Sequence, residues 1–549
     1  MIQSCHNRLA ERSLKRITHK FRIRNRSHQA TIHMKFSNLI IPMVTLTRAV
    51  SGVRAFSAMP PLSGPANLQQ EIPLAQKAME YFDSSPDPFF ACQTTAEMLE
   101  AAGFSQLEYD APYKNKLEQG GKYYFTKNKS TIVAFAIGEK FKAGNGFKVI
   151  GGHTDSPNLK IKPRSKRSGS GCIQLAVECY GGGLWYTWFD RDLGISGRVL
   201  VRGEDGKIEQ QLVKIDRALL RIPNLAIHLQ TAAEREAFKV NKEDHLVPIL
   251  SMEVQKALTG SGSGGDDSES NSNEDGWTEY QEPILLQMLA AEMDVDVGNI
   301  IDFELNLFDV QKASLGGAYS EFVHSARLDN LASCFMAVEG LVQYTSEEGA
   351  LASDEDISLV ALFDHEEIGS DSATGAGSPI MGEAVQRICA AFEDDDDSKA
   401  SVDTYARSVA RSMVLSVDQA HAIHPNYASK HEKGHAPKMN DGMVIKRNSN
   451  QRYATTGITG LIIREIARKA ELKPVQEFVV RNDCGCGSTI GPIISSTTGM
   501  RAIDMGCPQL SMHSIRETMG TSDFTNGLDL FKAFFKHFRA VDDSIADRN

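Results

Sequence analysis

The stretch "SLVALFDHEEIGSDSATGAG", residues 358 to 377, opens as a buried strand and then breaks its own pattern. Five of the six residues from Leu359 to Asp364 are apolar, yet the run ends in Asp364, His365, Glu366 and Glu367, followed by a loop of small residues. Adjacent carboxylates at the end of so apolar a strand repel each other and lose hydration unless positive charge sits between them. Metal ions supply such charge, so the fold has to bring further ligands to the same place.

Three other apolar runs also end in polar chemistry. "FKVIGGHTDSP" (147–157) finishes at His153 and Asp155, "SMVLSVDQAHAIHP" (412–425) at Asp418, and "MRAIDMGCPQLSMHSIRE" (500–517) passes Asp504 and reaches His513. Between them lie helical patterns such as "ARLDNLASCFMAVEGLVQY" (326–344) and "TGLIIREIARKAEL" (459–472). Strands alternating with helices predict an α/β fold, a mostly parallel sheet with helices on both faces. Ligands in such sheets bind beyond the carboxyl ends of the strands, where these polar residues fall. Residues 160–310 differ. "GCIQLAVECYGGGLWYTWFDRDLGISGRVLVRGEDGKIEQQLVKI" (171–215) alternates, with repeated Gly and aromatic residues, and reads as an inserted antiparallel β-rich domain. The catalytic domain is then discontinuous, 70–159 and 311–549, entered through two helices in "QKAMEYFDSSPDPFFACQTTAEMLEAAGF" (76–104) separated by a Pro-marked break.

At 549 residues the chain exceeds one ordinary core. Its net charge of −11 hides an asymmetry: residues 1–58 hold eleven Lys or Arg against one acid, Glu11, leaving about −21 on the remainder. So acidic a body argues against nucleic-acid binding. The basic, Arg-rich leader reads as an organelle-targeting segment for mitochondrion or plastid, with a disordered tail on a cytoplasmic protein as the alternative. The apolar stretch Asn38 to Leu46 is too short to span a bilayer, so no membrane span is expected. Nine irregularly spaced cysteines point to a reducing compartment, and Cys484 and Cys486 in "NDCGCGS" are too close for an ordinary metal knuckle. Two low-complexity stretches, 259–275 and 393–401, read as solvated loops, the first disordered.

A two-metal hydrolytic site needs a carboxylate able to bridge both ions, neutral imidazoles as terminal ligands, and a further carboxylate to accept a proton from water. The candidates are His153, Asp329, Glu366, Glu367, Asp418 and His513. Asp155, two residues along an extended chain from His153, points to the same side and can orient its imidazole. Taken singly, each is an ordinary loop, cap or surface residue. "HEE" is not the helical H-E-x-x-H zinc signature. As a set they support a metallohydrolase whose substrate the residues themselves leave open.

Nine segments together resemble the aspartyl aminopeptidases, a family of di-zinc exopeptidases: "GGHTDSPNLKIKP", "YGGGLWYTWFDRDL", "IPNLAIHL", "RLDNLAS", "DHEEIGSDSATGAG", "DQAHAIHPNY", "NSNQRYATTG", "RNDCGCGSTIGP" and "QLSMHSIRE". The likeness runs in order from about residue 70 to 540. It implies two divalent ions, most simply zinc, one held by His153, Asp329 and Asp418 and the other by Asp329, Glu367 and His513, with Asp329 as the bridge. It implies Glu366 as general base toward a water between the ions, and release of unblocked N-terminal Asp or Glu from peptides. Lys446 in "GMVIKRNSNQRYATTG" (442–457) would read the acidic side chain, with Tyr453 and His421 lining the pocket. His228 would reach the active site of a neighbouring subunit in a homo-oligomer, a dodecamer built from dimers, with 160–310 as its oligomerisation domain. On sequence alone Lys446 reads as a surface lysine and His228 as a core histidine on an apolar strand. Two rival readings are a di-metal aminopeptidase of broader specificity, which Lys446 opposes, and a catalytically silent assembly or cargo-binding homologue, which the intact ligand set opposes.

Overall fold

The computed structural model describes residues 65–254, 276–393 and 401–546. The leader at 1–58, the loop at 259–275 and the acidic run between Glu393 and Ser401 lie outside the described residues. The chain enters through α1 (Ala66–Ser84) and α2 (Pro88–Ala101). Asp87 ends the break between them: its side chain accepts the N–H groups of Phe89 and Phe90, and Pro88 starts the helix where no N–H is needed. Then come β1 (Ser105–Gln106), β2 (Lys122–Lys127), β3 (Thr131–Ile137) and β4 (Phe147–His153).

The middle of the chain carries β5 (Asn158–Gly169), β6 (Cys172–Tyr180), β7 (Leu193–Arg202) and β8 (Ile208–Leu220), then α3 (Ala232–Glu236), β9 (Ile249–Met252), α4 (Pro283–Met293) and β10 (Ile300–Asp309). The last part begins with β11 (Ser314–Gly316), β12 (Phe322–Ser325), α5 (Leu328–Ser346) and β13 (Ile357–Phe363). It continues through α6 (Ile380–Ala391), α7 (Val402–Ala410), β14 (Met413–Val417), β15 (Ala420–His421), β16 (Val444–Arg447), α8 (Gly457–Lys469) and β17 (Gln476–Val479). It closes with α9 (Ile490–Thr498), β18 (Arg501–Gly506), β19 (Pro508–Leu510), β20 (Glu517–Gly520) and α10 (Thr521–Asp542).

Nine strands form one sheet in the order β1-β2-β3-β13-β4-β14-β18-β16-β17. Its centre, β13-β4-β14-β18, is parallel, while β2, β3 and β16 join it antiparallel. The continuous apolar run of β13 is explained by burial on both faces. Leu359, Ala361 and Phe363 pack with Ile380, Ile388, Ile490 and Ile494, whereas Val360 and Leu362 pack with Phe335, Val338, Phe531 and Phe534. Each such Leu or Phe contributes roughly 1.5–3 kcal/mol of burial.

Strands β5 to β10, all from residues 158–309, form a separate six-stranded sheet, antiparallel throughout, in the order β8-β7-β10-β5-β6-β9. It has its own apolar cluster, including Trp185, Trp188, Leu193, Leu285 and Leu305. A third sheet, β11-β12-β20-β19-β15, has no counterpart in the sequence reading. It corrects one expectation: His513 is not the end of the run that starts in β18, but sits in the turn between β19 and β20. Asp504, inside β18, is a buried structural acceptor for Ser416, Thr489 and the Ala454 N–H. Among the described residues, no helix is long and apolar enough to cross a membrane.

Candidate metal centre and active site

Strand register brings the ligands together. β13 lies parallel to β4 with Phe363 opposite His153, so the loop Asp364–Glu367 leaves the sheet beside that imidazole. On the other side of β4, Ser416 of β14 is opposite Gly151, and two residues further on Asp418 comes level with His153. Asp329 arrives from the start of α5, where Arg327 is left-handed (φ 58°) and Asp329 and Asn330 depart from helical geometry, turning the carboxylate out of the helix. His513, also left-handed (φ 65°), closes the group from the β19–β20 turn.

His153 Nε2 lies 3.5 Å from Asp329 Oδ1 and 3.6 Å from Asp418 Oδ1. His513 Nε2 lies 3.5 Å from Asp329 Oδ2 and 3.3 Å from Glu367 Oε1. The two oxygens of Asp329 therefore face different imidazoles. Zinc–ligand bonds of about 2.0–2.1 Å give tetrahedral ligand–ligand edges near 3.3–3.4 Å, close to all four separations. A third grouping, His153 with Glu366 and Glu367, shares these atoms, with Glu366 Oε2 3.9 Å from His153 Nε2.

Two observations test whether the residues suit a cation. Asp329 Oδ1 and Glu367 Oε1 are buried and accept no hydrogen bond, an arrangement that costs free energy unless a positive charge meets them. Both imidazoles also place Nδ1 3.0 Å from a backbone carbonyl, His153 from that of Asp155 and His513 from that of Gly182. A carbonyl only accepts, so each Nδ1 carries the proton and each Nε2 presents its lone pair to the cluster. The donor set fits zinc.

Without cations, protons take their place. Burial alone would lower His513, but the Asp329 and Glu367 carboxylates outweigh it and push the imidazole up to about 12. Burial would likewise lower His153, yet Glu366, Asp155, Asp329 and Asp418 hold it well above its ordinary range. Burial, then the charge of Asp329, pushes Glu367 up to about 7 against the pull of His513. Glu366 is raised well above the usual carboxylate range by burial and by Asp418 and Glu367, against the opposing pull of His153.

Asp155 does more than orient one imidazole. Its carboxylate stands 3.5 Å from His153 Nδ1, but its shorter contacts are with the Tyr180 hydroxyl (2.6 Å) and the N–H groups of Glu366 and Glu367 (both 3.0 Å). It thus fixes the start of the acidic loop against β4. Tyr180 and Gly182 belong to the quoted "YGGG" segment at the end of β6, so the six-stranded sheet braces the centre. Gly181 (φ 74°) passes so close that a Cβ there would stand 3.2 Å from Glu367 Cβ. Sequence reasoning missed Tyr180, Cys334, whose thiol donates to the His153 carbonyl (2.9 Å), and Glu517, which accepts from Asp329 N–H and His513 N–H. Tyr180 and Glu517 stood at the ends of quoted segments, the one signal that marked them.

Lys446 is not a surface lysine. It is buried, its ammonium donating to Asp418 Oδ2 (3.0 Å) and the Gln419 carbonyl (3.1 Å) and standing 5.0 Å over the Tyr453 ring. His421 packs edge-on against Phe478, and crowding by its neighbours together with the Lys446 charge lowers its pKa from the ordinary imidazole value. His228 is not a core histidine: it lies exposed on a short 3-10 turn, Ile227–Leu229, and no described contact joins it to the cluster.

The sequence pattern of the aminopeptidase I zinc metalloproteases (M18) matches residues 81–535. The chain belongs to the M18 family. An M18 relative, the aspartyl aminopeptidase of Aspergillus oryzae, is 47% identical over 483 residues, 85% of this chain and 96% of that one. The cryo-EM structure of the Ape4 and Nbr1 complex contains a chain 42% identical, with a TM-score of 0.82 over 88% of this chain and 89% of that one. The dodecamer of S. cerevisiae mApe1 gives 31% identity and a TM-score of 0.75 over 87% of this chain and 100% of that one. M18 membership makes this chain a zinc metallo-aminopeptidase.

Proposed function

We propose that this enzyme removes unblocked N-terminal Asp or Glu from peptides at a site holding two cations. One cation is assigned to His153, Asp329 and Asp418, the other to Asp329, Glu367 and His513. The observation that carries the reading is Asp329, whose two oxygens face separate imidazoles at 3.5 Å each. When bound, the ions polarise the scissile carbonyl, acidify water and receive the substrate's free α-amino group. Glu366, at the edge of the cluster, accepts the proton of the attacking water and returns it to the leaving amine. Asp155 holds Glu366 and its neighbour in place through their N–H groups.

Lys446 confers the acidic preference. Two of its three N–H groups are engaged by Asp418 and Gln419, and the third meets the substrate carboxylate, while a neutral side chain would leave that charge poorly paired. Tyr453 and His421 line the same pocket. A dodecameric assembly, organised by residues 160–310, would bring His228 of a neighbouring copy to the substrate. The exposure of Leu225, Ile227 and Leu229 around it supports a buried contact there. The leader is proposed to direct the protein to mitochondrion or plastid, and a fusion of residues 1–70 to a fluorescent protein that stays diffuse would reject this.

Release of N-terminal Asp, Glu and Leu from otherwise identical short peptides, with and without a chelator, tests the main reading. Asp and Glu are released preferentially and only in the absence of chelator. Equal release of Leu would replace this reading with a broader aminopeptidase.

A further inference from the structure

The contacts of Glu517 assign a positioning residue to the reaction. Its side chain is buried and opens β20, paired with Ser325 of β12. Oε2 accepts the N–H of Asp329 at 2.9 Å, and Oε1 accepts the N–H of His513 at 2.7 Å. One carboxylate thus joins two chain segments 184 residues apart, each presenting a proposed ligand. Neither N–H has an ordinary partner. Asp329 lies in the first turn of α5, where helical N–H groups lack intrahelical acceptors, and His513 is left-handed in a tight turn. Among the described residues Glu517 forms no ion pair with Lys or Arg within 4.0 Å, so the contacts of this buried carboxyl go to two backbone donors.

We propose that Glu517 is a clamp that sets the separation of Asp329 from His513 and so makes the second cation position. The inference rests on the two-cation reading. It mirrors Asp155, which holds His153, Glu366 and Glu367. Among the described residues no contact joins Glu517 to Lys446, Tyr453 or His421, the proposed pocket lining, so it acts through the ligands. A clamp of this kind should cost about 10–100-fold in metal affinity when removed.

The test is zinc and cobalt titration of metal-free full-length protein against a chromophoric chelator, for wild type, Glu517→Gln and Glu517→Asp. Gln keeps one acceptor and turns an amide N–H toward the other backbone donor; Asp keeps both acceptors but falls short by one methylene. Wild type binds two ions per chain; one or none would reject the two-cation reading itself, whatever Glu517 does. Given two, Glu517→Gln retains the first ion within about threefold, weakens the second about 10–100-fold, and alters the visible spectrum of the second cobalt; Glu517→Asp weakens it less. In matched zinc, kcat falls and KM does not. Two ions bound as tightly as in wild type, with an unchanged cobalt spectrum, overturn the proposal. If neither variant folds, amide hydrogen exchange in metal-free wild type decides: protection of the His513 and Asp329 N–H groups like that of β14 is expected, and loop-like exchange overturns it.

Discussion

The rim of the nine-stranded sheet and the exposed strip after β8 carry chemistry in opposite ways. At the rim, each proposed ligand is braced from within the chain: His153, Glu366 and Glu367 by Asp155, Asp329 and His513 by Glu517, and Asp418 by Lys446. In the strip, His228 stands on an open turn with Leu225, Ile227 and Leu229 about half exposed or more beside it. A cavity of about 380 Å³ next to the strip is lined by Phe189, Leu225 and Phe238. The proposed cation ligands all come from one chain, whereas the proposed role of His228 would need another copy to complete it. The two parts should therefore fail separately.

The largest effect breaks the rim alone. Removing the cations with a chelator should abolish peptide release, and zinc should restore it, while the circular dichroism of the folded chain is unchanged. Next, Glu366→Gln should lower kcat about 10²–10⁴-fold with both cations retained, read by steady-state kinetics and metal analysis; a matching loss of metal would make Glu366 a ligand instead. Lys446→Ala sharpens the boundary between the two parts. kcat/KM for Asp peptides should fall about 100-fold, Leu peptides should change little, and the lost contact with Asp418 should weaken one cation.

Acid should act on the rim. In the metal-free protein His153, His513 and Glu367 all titrate above their ordinary values, so they hold protons that the cations must displace. Affinity is therefore lost as pH falls through about 7, where Glu367 takes up its proton. Each proton displaced changes apparent affinity about tenfold per pH unit, which calorimetry in buffers of different ionisation enthalpy would read as proton release. The smallest effect belongs to the strip. His228→Ala should cost about fivefold, one hydrogen bond's worth, without changing metal content. Co-assembly with Glu366→Gln chains should give more activity than the two variants measured apart.

Much of this was legible in the sequence because apolar strands buried on both faces have no reason to end in carboxylates. His153, Glu366, Glu367 and Asp418 announce themselves in that way, through the ends of β4, β13 and β14. His513 was named from its run, but its place in the β19–β20 turn was not legible, because the third sheet is built from strands of two to four residues, too short to show a period. The burial of Lys446 was hidden too, since β16 is only four residues long and its partners lie on β18 and β17. Asp155 showed as a neighbour of His153; its larger part, holding the acidic loop by backbone N–H groups, depends on a pairing between distant strands that no local pattern encodes.

The register of β4 against β13 has a consequence for how the fold is policed. Apart from Lys148, which is held by Asp354 and the Phe535 carbonyl, the side chains on both faces of these strands are mostly apolar or glycine. A slip by one residue would therefore be opposed more by that pairing than by lost oily area. It would also swing His153 to the opposite face from Glu366 and Glu367. Zinc uptake thus discriminates among alignments that hydrophobicity barely distinguishes, and a one-residue insertion within β4 should leave a folded chain that starves for metal.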